Sequence, residues 1–171
     1  MQRIFSLTRP VPPLTCSAEI LQTMSTALPQ RIFEGVFASD QIPLNRPIAY
    51  PQSLIVNTGP TDSEGMHWCA MYWDANGKGY FYDPLGMGPL PEWTTVLHKR
   101  STGGKWTIVA HRAQSLSSKK CGLHAAYFLL RIHYLEPPVH IKGITTALMA
   151  HVNDGNVLGL VMDIINNKKH I

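Results

Sequence analysis

One segment constrains the fold more than any other: an apolar helical run that begins at a cysteine. Its large apolar residues recur at helical spacing, at Leu123, Tyr127, Leu130 and Tyr134. This spacing predicts a helix over residues 121–134 that buries one face against the rest of the protein. The polar residues before Cys121, among them Lys119 and Lys120, predict a loop. Cys121 would then open the helix, where the helix dipole and the two lysines favour a negative charge and lower the pKa of a thiol.

The remaining patterns predict an α+β protein with a mixed, mostly antiparallel sheet flanked by helices. Short β-branched and aromatic runs predict strands at 32–37, 53–58, 66–73, 79–82 and 106–111. Asn76 and Gly77 predict the hairpin turn between the third and fourth strands. Further helices are predicted from an N-cap at Ser17 to about 28, from Pro91 to about 100, and over about 141–151 and 157–167.

The composition indicates one ordered domain over residues 1–171. Hydrophobic residues make up 44% of the 171 residues and charged residues 15%, which is enough for a core and unlike a disordered chain. The proline-rich stretch at 8–13 cannot sustain a helix, so we expect residues 1–15 to form an extended N-terminal arm. We find no signal peptide or membrane-spanning run, and three scattered cysteines do not make a disulfide framework. We therefore expect an intracellular protein that is neither secreted nor bound to a membrane.

Charge is unevenly distributed along the chain. The stretch 93–135 has no acidic residue and seven basic ones, namely Lys99, Arg100, Lys105, Arg112, Lys119, Lys120 and Arg131. A positive surface there favours a polyanion such as nucleic acid. Because the charges are dispersed, a solvated basic surface without a partner explains them equally well.

Four residues have side chains that together suit one reaction. His67 lies on the predicted third strand and Asp83 at the end of its hairpin partner. Neighbouring strands are about 4.8 Å apart, so the carboxylate can reach and orient the imidazole. The imidazole would take the proton of the Cys121 thiol, and the amide of Gln114, in the loop before the helix, would donate to an oxyanion. This combination is typical of a cysteine protease.

Each of these residues also has another interpretation. A cysteine at the start of an apolar helix is often a core residue, and an aspartate before a proline often forms a turn. A Cys2His2 zinc site is a second alternative, built from His67, Cys69, Cys121 and His124. It leaves Asp83 and Gln114 without a role. The other histidines show no ligand spacing and are predicted to be core or surface residues: His98, His111, His133, His140, His151 and His170.

Several sequence blocks resemble the adenain family, the adenovirus-type maturation proteases. They are residues 53–58 (Ser-Leu-Ile-Val-Asn-Thr) with 65–73 (Gly-Met-His-Trp-Cys-Ala-Met-Tyr-Trp), residues 82–86 (Tyr-Asp-Pro-Leu-Gly), and Gln114 with 121–123 (Cys-Gly-Leu). The likeness extends over about 32–135. His-Trp, and Gly-Leu after the cysteine, are shared with the ubiquitin-like-protein proteases of the same superfamily. The Ile-Val-Asn-Thr block and the position of Gln114 favour the viral branch.

The resemblance implies a papain-like fold with Cys121 as nucleophile at the N-terminus of a central helix. It also implies His67 as general base, Asp83 as its orienting acid and Gln114 as oxyanion donor. Such an enzyme cleaves viral precursor proteins at small, Gly-containing sites through an acyl-enzyme, in the virion or the host-cell interior, the nucleus included. The chemistry requires no cofactor. DNA or a viral peptide activates adenoviral members, and the basic 93–135 stretch agrees with a DNA partner.

Besides the proline-rich arm at 8–13 and the chain after Leu135, two departures from the family pattern concern the site and its activation. The acid is Asp83, where adenoviral members use glutamate and the ubiquitin-like-protein proteases use aspartate. No cysteine lies between Cys69 and Cys121, so a disulfide-linked activating peptide has no evident receptor there. Two alternatives stay open: a protease or isopeptidase for ubiquitin-like modifiers, and a catalytically inactive, nucleic-acid-associated virion protein.

Overall fold

The computed structural model describes residues 14–63, 67–109, 112–134 and 150–167, the side chains of 150–153 excepted. Within these ranges the chain forms five strands, β1 (Phe33–Phe37), β2 (Gln52–Asn57), β3 (Trp68–Trp73), β4 (Gly79–Tyr82) and β5 (Trp106–Val109). It also forms α1 (Ser17–Ala27), α2 (Pro91–Arg100), α3 (Cys121–Tyr134) and α4 (Ala150–Asn167), with a short 3-10 turn at Thr102–Gly104. None of the helices in the described ranges combines the length and the apolar character of a membrane span.

The five strands lie side by side in the order in which they occur along the chain. β2–β3 and β3–β4 pair antiparallel, whereas β1–β2 and β4–β5 pair parallel. The mixed sheet flanked by helices is therefore confirmed, but the prediction that it is mostly antiparallel is wrong. The reason lies in the connections, because α2 carries the chain from the end of β4 back to the start of β5, as a crossover helix does in a parallel pair.

The sheet separates two buried clusters of side chains. One cluster gathers α1, α3 and α4 against residues of one sheet face such as Ile55, Ala70 and Tyr82. The other gathers α2 against the opposite face, where Met71 and Phe81 point. β3 is buried along its whole length because both faces are covered, as its large side chains on both faces predict.

Helix α3 has the predicted bounds and packs across the first of these clusters. The ring of Phe128 stacks on that of Tyr82 at 4.3 Å between centroids, which fixes the helix to β4. At the start of the helix, Gly122 lies against the main chain of Leu14, and a Cβ at Gly122 would overlap the Leu14 carbonyl oxygen. The start of α3 therefore packs tightly on the N-terminal segment, in which Leu14 is fully buried.

Besides shifts of one or two residues at strand ends, three boundaries differ from the sequence predictions. The N-cap of α1 is Cys16 rather than Ser17, because the Glu19 carboxylate accepts from the backbone N–H groups of Thr15 (2.9 Å) and Cys16 (3.3 Å). The break predicted before residue 157 is absent, since α4 runs unbroken over Ala150–Asn167. The predicted arm does not reach residue 15, because Leu14 is in the core. Residues 1–13 of the arm, the end of the fifth strand at 110–111 and the helix start at 141–149 lie outside the described residues.

Candidate active site

His67 and Asp83 meet where two neighbouring strands end. His67 immediately precedes β3 and Asp83 immediately follows β4, so the antiparallel pairing of these strands brings the two side chains together. The Nε2 atom of His67 lies 2.6 Å from Oδ1 of Asp83. Both side chains are buried, with Asp83 only 2% exposed. His67 lies one residue before the strand on which it was predicted, with the contact to Asp83 as expected.

The turn after Asp83 fixes its carboxylate. Oδ1 accepts from the backbone N–H of Leu85 at 2.8 Å, and Oδ2 accepts from that of Met87 at 2.8 Å. Burial raises the pKa of Asp83, but the contact with His67 and the two backbone donors outweigh it, so the pKa lies below its ordinary value. Asp83 is therefore a carboxylate at neutral pH, held in one orientation.

Cys121 is the first residue of α3 and its half-buried thiol interacts with His67. Burial raises the pKa of Cys121. The His67 imidazole and the backbone N–H groups of Trp68 and Gly122 lower it by more, so the pKa lies below its ordinary value. For His67 the directions are reversed. Burial lowers its pKa, but its hydrogen bonds, first to Asp83 and then to Cys121, raise the pKa above its ordinary value. The opposed shifts favour a thiolate beside an imidazolium.

The imidazole contacts two thiols as well as the carboxylate. Asp83 occupies Nε2, and hydrogen bonds with the thiols of Cys121 and then Cys69 also raise the pKa of His67. Lys120, expected from the sequence to lower the thiol pKa, instead donates from Nζ to the backbone oxygen of Asp154 at 2.6 Å. The lowered pKa of Cys121 thus comes mainly from its imidazole partner and from backbone donors.

Gln114 lies in the loop that leads to Cys121, and the turn after Asp83 holds that loop. The carbonyl oxygen of Pro84 accepts from the backbone N–H groups of Ala113 (2.9 Å) and Gln114 (3.0 Å). The Gln114 side chain is buried, and its Nε2 donates to the carbonyl oxygen of Ser118 at 2.6 Å. An amide nitrogen has two hydrogens, so the contact with Ser118 uses one N–H bond of Gln114 and leaves the other.

The structure does not assemble the four-residue zinc set. His124 contacts Asp154 instead, with its Nε2 2.8 Å from Oδ1. Ligand atoms of His67, Cys69 and Asp83 do lie within 4.8 Å of one another. Burial raises the pKa of Cys69 to about 11, so this thiol stays protonated at neutral pH, a form that binds metal poorly.

Among the remaining histidines, the structure describes two. His133 is half-buried: burial lowers its pKa to about 4, and Nε2 lies 3.2 Å from Oγ of Ser53. His98 is exposed on α2. The others, or their side chains, lie outside the described residues: His111, His140, His151 and His170.

Asp154 is a buried carboxylate near the site to which sequence reasoning gave no role. It projects from α4 and accepts from the backbone N–H of Ser115 at 3.0 Å and from His124. A signal was present in the sequence, because Asp154 falls on the apolar stripe of α4 with Val157, Val161 and Ile164, three, seven and ten residues further on. An acidic residue on such a stripe requires a buried partner.

A cavity of about 330 Å³ lies beside Trp68, the residue after His67, although none of the four candidate residues lines it. Trp68, whose backbone N–H contacts Cys121, forms one wall, and Phe37 and Asn57 contribute others. Oδ1 of Asn57 accepts from the backbone N–H of Gly59 at 2.7 Å, whereas its buried Nδ2 has no partner among the described residues. The wall thus includes apolar surface from Phe37 and Trp68, whereas the unpaired Nδ2 of Asn57 is buried behind it.

The sequence and the fold are both similar to those of known viral proteases. The protease of snake adenovirus serotype 1 is 35% identical over 71 residues, which cover 41% of this chain and 32% of that protein. The protease of Fowl adenovirus A serotype 1 (strain CELO / Phelps) is 36% identical over 93 residues, which cover 47% of this chain and 45% of that protein. The matches span between about a third and a half of the length of these relatives.

A solved structure shares the fold. The crystal structure of the ASFV pS273R protease matches with a TM-score of 0.62 at 16% identity, covering 89% of this chain and 69% of that one. At this identity the likeness concerns the fold alone. A family model described as the adenovirus endoprotease matches residues 33–157, a stretch that contains His67, Asp83, Gln114 and Cys121. The match extends over most of the length of this chain, and the chain therefore belongs to the adenovirus endoprotease family.

Proposed function

We propose that this protein is a cysteine endopeptidase of the viral-maturation type with Cys121 as its nucleophile. One observation carries the proposal: the His67 imidazole has the Asp83 carboxylate at 2.6 Å and is also hydrogen-bonded to the thiol that opens α3. The opposed pKa shifts of His67 and Cys121 support an imidazolium and a reactive thiolate. A cysteine that only fills the core needs no such partner.

In the proposed reaction, the Cys121 thiolate attacks the carbonyl carbon of a peptide bond. The backbone N–H of Cys121 and the second N–H of Gln114 stabilise the oxyanion, and the His67 imidazolium gives its proton to the leaving amine. This step breaks the C–N bond and leaves an acyl-enzyme. The neutral imidazole then takes a proton from water, whose oxygen attacks the thioester. The acid product leaves, and the thiolate–imidazolium pair is restored.

We propose viral precursor proteins as substrates, cleaved at small, Gly-containing sites. Family membership supports the substrate class. The cavity beside Trp68 supports an extended peptide near Cys121, because a chain of small residues fits beside a large indole ring. The proposed place of action is the virion and the host-cell interior, with the nucleus as one compartment to test.

The first test is the reactivity of Cys121 in the folded protein. Cys16 is exposed and serves as an internal reference, whereas Cys69 is buried. We expect iodoacetamide to alkylate Cys121 faster than Cys16 at neutral pH, because the thiolate is the reacting form. Mass spectrometry of the digested protein gives both rates. Labelling of Cys121 no faster than that of Cys16 or of free cysteine would count against an activated nucleophile.

The second test is hydrolysis of Gly-containing peptides that copy viral cleavage sites. We expect cleavage by the wild-type chain and loss of cleavage in Cys121→Ser, with unchanged circular dichroism in the variant. If Cys121→Ser cleaves as fast as wild type, another group does the chemistry and the proposal fails. If neither protein cleaves while Cys121 remains unreactive, the inactive virion protein is the better description.

A protease for ubiquitin-like modifiers is the second candidate, and the identity of the acid favours it. Asp83 occupies the position where the ubiquitin-like-protein proteases have aspartate and adenoviral members have glutamate. Release of a fluorophore from the C-terminus of ubiquitin-like reporters, without cleavage of viral-type peptides, would select this candidate.

We also propose DNA as a regulatory partner, and a viral peptide as a second activator. The exposed basic residues of the 93–135 stretch support a DNA contact, but fewer are exposed than the sequence suggests. Arg100 is buried, with Nη1 2.6 Å from the Glu34 carboxylate, and Lys120 is bonded to Asp154. The exposed ones among the described residues are Lys99, Lys105, Arg112 and Lys119.

A further inference from the structure

Asp154 links α4 to the loop that precedes Cys121. Its Oδ2 accepts from the backbone N–H of Ser115 at 3.0 Å, and its backbone oxygen accepts from Nζ of Lys120 at 2.6 Å. The two contacts fall at either end of the loop 115–120. Asp154 is 8% exposed, so water competes little for these bonds.

The same loop determines where the Gln114 amide points. Nε2 of Gln114 donates to the carbonyl oxygen of Ser118 at 2.6 Å, so the position of Ser118 sets the direction of the remaining N–H bond. The Ser118 side chain also contributes to the lowered pKa of Asp154, which places it close to that carboxylate. A continuous chain of contacts therefore runs from Asp154 through Ser118 to Gln114.

His124 holds the other oxygen of the Asp154 carboxylate. Burial lowers the pKa of His124, and Lys120 lowers it further, which outweighs the opposite effect of Asp154. The imidazole is then neutral and donates its Nε2 hydrogen to Oδ1 at 2.8 Å. Burial raises the pKa of Asp154, but the Ser115, His124 and Ser118 donors lower it on balance, so the carboxylate is ionised. Every described contact of the side chain thus requires it to be an acceptor.

We propose that Asp154 is a positioning residue for the reaction: it holds the 114–120 loop so that the Gln114 amide faces the oxyanion. The inference rests on the proposed function. It assigns a task to α4, whose described side chains make no contact with His67 or Asp83. Among the described contacts, Asp154 touches neither the thiol nor the imidazole of the candidate pair, so removing its carboxylate should act mainly on the oxyanion side of the site.

The test can therefore separate an effect on the oxyanion donor from an effect on the Cys121 thiolate. Alkylation of Cys121 by iodoacetamide needs the thiolate but no oxyanion, whereas peptide hydrolysis needs both. We expect Asp154→Ala to lower kcat by roughly 10- to 100-fold, somewhat less than the loss of a direct oxyanion donor. KM and the rate of Cys121 alkylation should stay close to wild type.

Two further variants guard against a merely structural effect. Asp163→Ala removes an exposed carboxylate from the same helix and should leave kcat unchanged. Asp154→Asn should retain more activity than Asp154→Ala, because its Oδ1 still accepts from Ser115 while its amide donates to the other tautomer of His124. Thermal melting identifies a variant that fails to fold. If Asp154→Ala does not fold, the variants to compare are Asp154→Asn and Asp163→Asn.

Hydrogen exchange tests the loop without reference to activity. We expect peptides covering residues 112–120 to exchange faster in Asp154→Ala than in wild type, and no faster in Asp163→Ala. Parallel losses of alkylation rate and kcat, or equal kcat in the Asp154 and Asp163 variants, would overturn the positioning role. If the wild-type chain cleaves no peptide, the proposed function fails on its own, and equal loop exchange in both variants would then overturn the inference separately.

Discussion

At the residue scale, the site depends on how the ring of His67 is divided between a carboxylate and a sulfur. Asp83 binds Nε2 and thereby stabilises the imidazolium, and the imidazolium stabilises the Cys121 thiolate. The charged pair exists only above the pKa of Cys121 and below that of His67. Because the first is lowered and the second raised, the interval between them is wide.

Replacing Asp83 should narrow the pH range in which the thiolate–imidazolium pair exists, because it lowers the alkaline limit of that range. Without the carboxylate the pKa of His67 falls, so the imidazolium loses its proton at a lower pH than in wild type. In Asp83→Asn we expect the alkaline limb of kcat/KM against pH to shift to lower pH, with a reduced maximum. The profile measured with a Gly-containing peptide checks this expectation. Asp163→Asn is the matched control, and coincident profiles for Asp83→Asn and wild type would contradict the assignment of Asp83.

Gly122 provides a second test at this scale. A Cβ there would overlap the Leu14 carbonyl oxygen, which is main chain and cannot rotate away. We expect Gly122→Ala to destabilise the protein by about 3 kcal/mol, at the upper end of overpacking effects, and to displace Cys121. Urea unfolding measures the change.

Gly159 on α4 is the control for that substitution, because a Cβ at Gly159 meets no other atom within 4 Å. Gly159→Ala should be neutral or stabilise by up to about 1 kcal/mol through helix propensity. A Gly122→Ala protein as stable as Gly159→Ala would mean that the contact with Leu14 is not tight.

The site residues differ in how far the sequence could predict them. His67, Asp83 and Cys121 each lie at the end of an element with a strong local pattern, so the sequence placed all three near their structural positions. Asp154 acts through Ser115 and His124, which are 39 and 30 positions away. No local pattern links such distant residues, and a lone aspartate in a helix is usually on the surface.

At the element scale, a buried ion pair joins α2 to β1. Arg100, the last residue of α2, donates from Nη1 and Nη2 to the Glu34 carboxylate at 2.6 and 3.0 Å, and Nη2 also donates to the carbonyl oxygen of Pro43 at 2.6 Å. The two charged side chains are 2% and 5% exposed. The sequence alone groups Arg100 with the basic surface, because only the fold brings it to a residue 66 positions earlier.

Replacing one partner of this ion pair should destabilise the protein more than replacing both partners. We expect Arg100→Met to destabilise by about 3–5 kcal/mol, since it leaves the Glu34 carboxylate buried and unpaired. The double variant Arg100→Met/Glu34→Met should recover most of that loss. Chemical denaturation of the two single variants and the double variant measures the coupling.

The neighbouring exposed Lys99 provides the control for this cycle, and Lys99→Met should change stability by no more than about 0.5 kcal/mol. Additive effects in the double variant would show that Arg100 and Glu34 do not depend on each other.

Helices and strands could be predicted where the hydrophobic residues of a segment recur at one regular spacing. Helix α3 has its predicted bounds because its apolar stripe and the polar loop before it coincide. Strand direction was not predictable in the same way, because whether β1 and β2 run parallel depends on the path of residues 38–51. Likewise α4 continues through 153–156, where Asn and Gly suggest a break, since Asp154 and Val157 both have buried contacts.

At the scale of the whole molecule, the DNA proposal depends on a small number of exposed charges. Four described basic residues of the 93–135 stretch are exposed, so this stretch should contribute a slope of roughly −3.6 at most to log K against log salt concentration. Replacing Lys99, Lys105, Arg112 and Lys119 by Gln should weaken DNA binding and flatten that slope. Fluorescence anisotropy with labelled DNA over a salt series measures both.

Lys78 offers a basic side chain elsewhere on the surface as a control. It lies over the ring of Tyr80 at 5.1 Å, outside the 93–135 stretch, and Lys78→Gln should leave DNA binding close to wild type. Binding that is insensitive to salt, or equally weakened by Lys78→Gln, would argue against a contact through this stretch.

The order of strands in the sheet has a consequence for synthesis of the protein. Because the strands lie side by side in chain order, the hairpin that brings imidazole and carboxylate together is complete before Cys121 leaves the ribosome. Sequence-local pairing of this kind forms early. A nascent chain at that stage has His67 and Asp83 but lacks the Cys121 thiol, the proposed nucleophile. The proposed activity therefore cannot arise before the second half of the chain has folded onto the first.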